Sequence, residues 1–325
     1  MGGGGGQGGG GGPPGGGGGG GGGVKGCGPV GRSSNAVRTL AGLPNPGNLL
    51  GMSFYPLRPA PVAAAAAAQY GEWLEWLAAS LDDPRCDRNE LCRRILTDIY
   101  YPQCADADPS TLSPTTRLAL LQMDPRSVTL EPEYYHEIDL ARYAPRKPLL
   151  WLWEMFDRSP LGENIDLGIR FRRILARHVF ASCGKNFKAF TFVRFSFGYN
   201  MHVGNGVVIH RHVLMDDRGG IDIGDGASVS DFANVYSHSH NIVDARIVYT
   251  PKTVIGKGVR ITYHATVLAG THIEEDSMIG TGSIVTKSTE PHWVYVGVPA
   301  RKAKEKSAEE RAAKAPPTTD PFAEK

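Results

Sequence analysis

The chain has 325 residues, enough for one or two domains, and a net charge of +2 that gives no indication of a nucleic-acid or acidic partner. Its five cysteines are odd in number and form no CxxC pair, which argues against a disulfide framework and against a zinc knuckle. The longest strongly apolar stretch, Pro148 to Phe156, is too short to span a membrane.

Residues 1–66 are predicted to be a disordered leader. Residues 1–24 are almost entirely glycine, and residues 61–68 end in an alanine run. No acidic residue precedes Glu72, whereas basic residues do, and this composition also occurs in organelle transit segments. We therefore expect a cytoplasmic protein, or one in a plastid or another organelle if the leader is a transit segment.

Residues 67–183 are predicted to be an α-helical region that caps the domain behind it. Apolar stripes at helical spacing run through Trp73 and Ile95, and a proline at the first turn opens a further short helix at Ser113-Pro114. Residues 161–180 predict a basic amphipathic helix. Its apolar face either packs against the following domain or lies on an anionic membrane surface.

An aliphatic residue recurs at every sixth position over residues 255–285, and the same period runs upstream. This period fits neither a helix nor a flat strand, but it fits a solenoid whose coils have three short faces with one inward side chain each. The predicted inward positions are Phe197, Val203, Ile209, Met215, Ile223, Val229, Val235, Ile255, Ile261, Val267, Ile273, Ile279 and Val285. We expect this solenoid over residues 184–300, followed by a charged tail over residues 301–325 that is helical over residues 301–315 and disordered from Pro316.

Several glycines directly follow inward positions, where we expect a corner that crowds a Cβ atom or requires a positive φ angle. They are Gly198, Gly204, Gly224, Gly256 and Gly280.

The period skips two residues at Ile221-Asp222 and resumes at Ile223, and it is interrupted by a long segment once, between Val235 and Ile255. We expect residues 236–254 to leave the solenoid as a loop, which opens with His238 and His240. Loops on rigid scaffolds commonly carry function, and an imidazole that titrates near neutral pH is suited to general-base catalysis. The alternative is a pair of ordinary solvated histidines.

The sequence resembles the hexapeptide-repeat acyltransferases in three features. These are the six-residue period, the loop that opens with histidines and two C-terminal motifs. The motifs are Ile279-Gly280-Thr281-Gly282-Ser283 and Val296-Gly297-Val298-Pro299-Ala300-Arg301. Over residues 195–304 the sequence is most similar to the maltose, galactoside and nodulation-factor O-acetyltransferases. The resemblance implies a mainly-β protein, a left-handed parallel β-helix with an α-helical N-terminal region and a short C-terminal helix.

The resemblance implies a homotrimeric enzyme that uses acetyl-CoA as a co-substrate. Such an enzyme transfers the acetyl group directly to a hydroxyl of a sugar or glycan. It implies His240 as general base, although Asn241 replaces the usual proline, with His238 as the alternative. It implies contacts to CoA from Tyr263, Thr281, Thr286, Lys287, Arg301 and Lys304. It implies contacts to the acceptor from Asp216, Asp217, His210 and Asn234.

Other interpretations stay open from the sequence. The two aspartates suit a turn before Gly219-Gly220, and the basic residues suit a solvated tail. The same solenoid occurs in γ-class carbonic anhydrases, and His238, His240 and His264 would supply three zinc ligands, but the spacing lacks that class's paired histidines. A third possibility is a catalytically inactive trimeric scaffold. We expect no metal, and an amine or larger glycoconjugate acceptor is not excluded.

Overall fold

The computed structural model describes residues 57–59, 61–312 and 320–324. Most of the predicted leader, residues 1–66, lies outside these residues, and the expectation about localisation stays a prediction. Within the described ranges, no helix is both long enough and apolar enough to cross a membrane.

The N-terminal part of the described chain is helical, as predicted. Its helices are α1 (Ala64–Asp82), α2 (Arg88–Tyr100), α3 (Pro114–Leu121), α4 (Leu140–Tyr143), α5 (Lys147–Asp157) and α6 (Ile165–Val179). Side-chain caps start several of them because the first backbone N–H groups of a helix lack intrahelical partners. Asp87 accepts from two N–H groups of α2, and the Ser113 hydroxyl accepts from the Thr116 N–H of α3.

Helix α6 covers the open end of the solenoid. Its apolar face is buried, and its arginines reach carbonyl groups on the edge of the first coil. Arg173 Nε donates to the Phe187 carbonyl at 2.8 Å, and Arg172 Nη1 donates to the Ala189 carbonyl at 3.3 Å. An uncovered solenoid end would leave such carbonyls unpaired, so α6 acts as a cap.

The solenoid consists of three parallel sheets, in which neighbouring strands come from successive coils. Sheet A contains β1 (Ser182–Cys183), β4 (Met201–Val203), β7 (Ile221–Ile223), β12 (Thr253–Ile255) and β15 (His272–Ile273). Sheet B contains β2 (Lys188–Ala189), β5 (Val208–Ile209), β8 (Ser228–Val229), β13 (Arg260–Ile261), β16 (Met278–Ile279) and β18 (Trp293–Val296). Sheet C contains β3 (Arg194–Phe195), β6 (Leu214–Asp216), β9 (Asn234–Tyr236), β14 (Thr266–Val267) and β17 (Ile284–Val285).

The six-residue period corresponds to the solenoid core. All thirteen predicted inward positions are buried, and none is more than 4% exposed. The strand register stacks them directly, for example Ile261 on Val229 and on Ile279. The predicted β-helix with a helical N-terminal region is confirmed.

The register corrects one inward position. Phe195, not Phe197, pairs with Met215 in sheet C. The two-residue extension predicted near Ile221 therefore also occurs one coil earlier, where Phe197 lies buried in the corner after β3. The Phe197 N–H donates to the Asp217 carboxylate at 2.7 Å, so this longer corner is tied to the corner of the next coil.

The corner glycines fit the prediction in part. A Cβ atom on Gly224 would lie 2.6 Å from the backbone nitrogen of Lys257, so the expected crowding is present. Among the five predicted corner glycines, however, only Gly198 has a positive φ angle, of 72°. In the third coil the residue with the left-handed backbone conformation is Gly226, two positions after Gly224, with a φ angle of 67°.

The C-terminal segment differs from the predicted helical tail at its start. Strand β19 (Arg301–Glu305) pairs antiparallel with β18, because β18 would otherwise leave an open sheet edge. Helix α7 (Ala308–Ala312) follows. Residues 320–324 return to the first coil and to the cap helix. The Asn186 N–H of the first coil donates to the Glu324 carboxylate at 3.1 Å, and the Arg177 guanidinium of α6 lies 2.8 Å from the same carboxylate.

Candidate functional site

The segment that breaks the period is a β-hairpin. Strand β10 (Ser239–His240) pairs antiparallel with β11 (Val248–Tyr249). Its base is closed by the Thr253 hydroxyl, which donates to the Tyr236 carbonyl at 2.6 Å. At its tip, Ile242 and Val243 are 100% and 91% exposed. The hairpin therefore leaves the solenoid at one point and holds two histidines at its start.

His240 lies exposed on β10 with one ring nitrogen engaged. Its Nδ1 is 2.6 Å from the Ala245 carbonyl oxygen across the hairpin. A carbonyl can only accept a hydrogen bond, so Nδ1 must carry the proton. In neutral His240 the lone pair on Nε2 is then free, which is the tautomer that a general base requires.

His238 is tied to the neighbouring coil. Its Nδ1 is hydrogen-bonded to the Asp216 carboxylate on β6, which also accepts from the Ser196 hydroxyl at 3.0 Å. Asp216 is buried, and His238 is partly buried. The His238 and His240 rings lie 5.2 Å apart and nearly perpendicular. The two histidines therefore form one group, fixed to the solenoid through Asp216.

Asp217 has a different role from Asp216. It is fully buried and accepts from the N–H groups of Phe197 at 2.7 Å and Asn200 at 3.2 Å. Burial raises the pKa of Asp217 to about 6, against the effect of these backbone hydrogen bonds. The interpretation of Asp217 as a turn residue is therefore the one that fits the structure, because its carboxylate is used by the corner.

A cavity of about 520 Å³ lies between the helical region and sheet C. Asp216, Tyr236 and His238 line it from the solenoid side. Tyr135, Tyr143 and Trp151 are among the residues that line it from the N-terminal side, and His240 is not a lining residue. The volume lies within the roughly 300–1,000 Å³ typical of small-molecule sites. His238 thus stands between this cavity and His240.

The other two predicted acceptor residues lie elsewhere. His210, in sheet B, stacks on Phe190 with ring centroids 4.9 Å apart and lines a separate cavity with Glu163. Burial lowers the pKa of His210. The Asn234 amide, on β9, donates to the Phe232 carbonyl at 3.5 Å. Neither side chain lines the cavity beside His238.

The residues predicted to contact CoA are exposed on the last coils, at three places. Tyr263 and Thr281 lie at the corner between sheets B and C, where the Gly282 N–H donates to the Tyr263 carbonyl at 2.9 Å. Thr286 and Lys287 follow β17. Arg301 and Lys304 lie on β19, where Lys304 pairs with Glu310.

The three histidines considered as zinc ligands do not form a common group. No set of three His, Cys, Asp or Glu side chains in the described part of the chain is placed to hold a metal ion. His264 instead stacks on Phe232 with ring centroids 5.0 Å apart, at the end of a column that continues through His212 to Phe192.

Sequence reasoning missed the N-terminal wall of the cavity. Tyr135, Tyr143 and Trp151 precede the solenoid and belong to no repeat. Tyr135 and Tyr143 lie outside the segments for which the sequence predicts helices, and the cavity identifies them.

The coils, the hairpin and the cavity together define a parallel β-helix protein with two imidazole groups near a cavity of substrate size. No protein-family model matches the chain. Over 138 residues it is 32% identical to galactoside O-acetyltransferase from Escherichia coli strain K12, a match that covers 41% of this chain and 68% of that protein. The chain therefore belongs to the hexapeptide-repeat acetyltransferase family of galactoside O-acetyltransferase, and it is an acyltransferase.

Solved structures that are similar to this chain include a maltose O-acetyltransferase from Clostridium difficile 630. It is 28% identical with a TM-score of 0.46, covering 53% of this chain and 90% of that one. A hexapeptide-repeat acetyltransferase from Vibrio cholerae, solved with acetyl coenzyme A, is 22% identical with a TM-score of 0.43, covering 51% of this chain and 87% of that one.

Proposed function

We propose that the protein transfers the acetyl group of acetyl-CoA to a hydroxyl of a sugar or glycan, with His240 as general base. The observation that carries this proposal is the hydrogen bond from His240 Nδ1 to the Ala245 carbonyl, which leaves Nε2 free to accept a proton. The galactoside O-acetyltransferase from Escherichia coli supports the choice of acceptor by its name.

The reaction proceeds without an acyl-enzyme. The acceptor hydroxyl attacks the thioester carbonyl while His240 Nε2 takes its proton, and a tetrahedral intermediate forms. This intermediate collapses, the carbon–sulfur bond breaks, and the leaving CoA sulfur receives the proton from the imidazolium. General-base assistance of this kind contributes roughly 10²–10⁴ in rate.

His238 prepares the site for this step. It is held by Asp216, lines the cavity and lies against His240, so it is suited to orient the acceptor hydroxyl. Because His238 is the one of the two histidines that lines the cavity, it is also the second candidate for the base.

The donor site is proposed to lie between subunits of a homotrimer. Lys287 and Arg301 are exposed near the end of the solenoid, where their charges suit the phosphates of acetyl-CoA. The hairpin tip at Ile242 and Val243 is fully or almost fully exposed in a single chain, which suits contact with a neighbouring subunit.

The test is release of free thiol from acetyl-CoA by the purified full chain, with and without pyranoside acceptors. We expect acceptor-dependent release that His240→Ala abolishes, whereas His272→Ala, at an exposed position on sheet A, leaves it unchanged. Full activity of His240→Ala would contradict its role as base. A panel that includes amino sugars measures whether oxygen or nitrogen is acetylated.

A further inference from the structure

A short acidic segment, residues 320–324, is bound at the capped end of the solenoid, and we call it the strap. It contacts both the first coil and helix α6. The Lys188 ammonium on β2 bonds the Asp320 carboxylate, and the Arg177 guanidinium on α6 lies 2.8 Å from the Glu324 carboxylate. The two carboxylates are four residues apart in sequence. The strap is therefore held by a cation at each of its ends.

The surface under the strap also bonds its backbone. The Asn186 N–H donates to the Glu324 carboxylate at 3.1 Å, and the Asn186 side-chain oxygen accepts from the Glu324 N–H at 2.7 Å. Asn186 has a φ angle of 59°, a left-handed conformation that asparagine adopts more readily than most residues. Main-chain hydrogen bonds supply affinity in sites that bind peptides. Asn186 therefore recognises residue 324 by its backbone as well as by its charge.

The strap has the conformation of a tight turn. The Ala323 N–H donates to the Asp320 carbonyl at 3.0 Å, and the Phe322 N–H donates to the Asp320 carboxylate at 3.0 Å. Aspartate at the first position and proline at the second, here Pro321, both favour such a turn. Phe322 is half-buried. The strap therefore presents two carboxylates and an aromatic ring on a backbone that its own sequence favours.

Arg173 shows that the surface requires a negative charge at one position. Its side chain is buried, and this burial lowers the pKa of Arg173, whereas the charges of Glu324 and Asp320 raise it. Among the described residues, Glu324 supplies the one carboxylate within 4 Å of this guanidinium, at 3.4 Å from Nε. A buried charge is costly unless it is paired. The first coil and the cap helix thus leave a cation that an acidic ligand must satisfy.

We propose that Arg173, Arg177, Asn186 and Lys188 form a binding site for an acidic turn peptide, and that residues 320–324 are its resident ligand. The ligand class is a turn with carboxylates at its first and fifth positions and an aromatic residue between them. Partly exposed ion pairs hold the strap, so it can detach while the cap and the coils stay folded. None of the four residues lines the cavity beside the hairpin, so peptide binding here is independent of acetyl transfer.

The first test releases the strap in the full chain. The double variant Asp320→Asn, Glu324→Gln keeps the size of both side chains and removes both charges. The probe is the amidated peptide Asp-Pro-Phe-Ala-Glu, which repeats residues 320–324 and carries fluorescein at its amino end. By fluorescence anisotropy, we expect the probe to bind the double variant at least about tenfold more tightly than the unaltered chain, whose own strap fills the site. Equal binding to both chains, or binding to neither, would overturn the proposal.

The second test assigns the binding to the named residues. In the double variant, Lys188→Gln should weaken binding of the probe about tenfold, because one charge-assisted hydrogen bond is lost. Lys185→Gln is the matched control, since Lys185 is exposed on the same coil and its described hydrogen bond runs from its backbone to Asn205. The peptide with amides in place of both carboxylates should not compete with the probe. Equal effects of the two lysine substitutions, or competition by the amide peptide, would contradict the site.

Hydrogen exchange follows the strap in the unaltered chain. The N–H groups of Ala323 and Glu324 are bonded, so a fragment that contains the strap should exchange about tenfold more slowly than in the double variant. In 1 M NaCl, which screens exposed ion pairs, its exchange should approach that of the variant while fragments from β2 and β5 stay protected. Equal exchange in the two chains at low salt would overturn the proposal. Loss of protection in β2 together with the strap would also overturn it, because the strap would then be part of the fold and not a ligand.

Discussion

Asp216 and His238 are 22 residues apart in sequence, and their side chains form a direct hydrogen bond between strand β6 and the start of the hairpin. The carboxylate is buried, so its position is set by the solenoid core. The first histidine of the hairpin therefore takes its orientation from the neighbouring coil.

This contact predicts the effect of Asp216→Asn. The substitution keeps the size of the side chain but removes the charge, and a hydrogen bond to a charged group is worth roughly 1.5–3 kcal/mol. We expect kcat to fall by about 10- to 100-fold, with KM for acetyl-CoA unchanged. Steady-state kinetics measure it, and Asp231→Asn, whose carboxylate pairs with Arg211 on the surface, is the control.

Asp217 predicts a dependence of stability on pH. Its folded-state pKa of about 6 is above the unfolded value near 3.8, so the folded chain binds this proton more tightly. The resulting stability is fully present below about pH 4 and is lost as the pH rises through 6. The difference between the two pKa values corresponds to about 3 kcal/mol in the free energy of unfolding.

The measurement is urea unfolding of the wild type and of Asp217→Asn from pH 4 to 7. The wild type should lose stability relative to Asp217→Asn as the pH rises. A difference between the two chains that is constant with pH would show that Asp217 keeps an ordinary pKa.

The cap helix predicts a large difference between two neighbouring arginines. Arg172 and Asp157 form a buried pair, at 2.8 Å between Nε and Oδ1. Arg172→Ala leaves that carboxylate buried without its cation, which should lower the free energy of unfolding by about 3–5 kcal/mol. Arg170→Ala breaks a more exposed pair with Asp166 and should cost about 1 kcal/mol or less. Chemical denaturation measures both, and equal losses would contradict the buried pairing.

The exposed hairpin tip predicts which surface would hold the proposed trimer together. Ile242 and Val243 are exposed in the single chain, so Ile242→Asp leaves the fold of one chain unchanged. In a trimer that buries this tip, the same change places a charge in an apolar contact. We expect a homotrimer for the wild type by light scattering and dissociation in Ile242→Asp, whereas Thr250→Asp, at the hairpin's return, should stay trimeric. An unaltered mass for Ile242→Asp would mean that the tip is not an interface.

The sequence predicted the core of the solenoid well because a local rule governs it. Each inward residue stacks on its equivalent one coil away, so a fixed period is sufficient to identify it. The rule fails at Phe197, because a corner can contain two extra residues without disturbing the strands on either side. It also fails at Arg301–Glu305, where the open edge of β18 outweighs a charged composition that favours a helix.

The site was predictable only in part, because only some of its residues disturb the sequence period. An interruption in a regular pattern is visible in the sequence, and so His238 and His240 were found. The contacts of Tyr143, Trp151 and Asp216 across the cavity depend on how the N-terminal helices pack on sheet C. Such contacts leave no periodic signal.

The two ends of the hairpin meet at the surface of the solenoid, where the Thr253 hydroxyl bridges to the Tyr236 carbonyl. The strands on either side, β9 and β12, keep their register with the adjacent coils. A hairpin of different length or composition can therefore replace this one while the coils continue unaltered. In such a chain the fold and the reaction can be changed independently of each other.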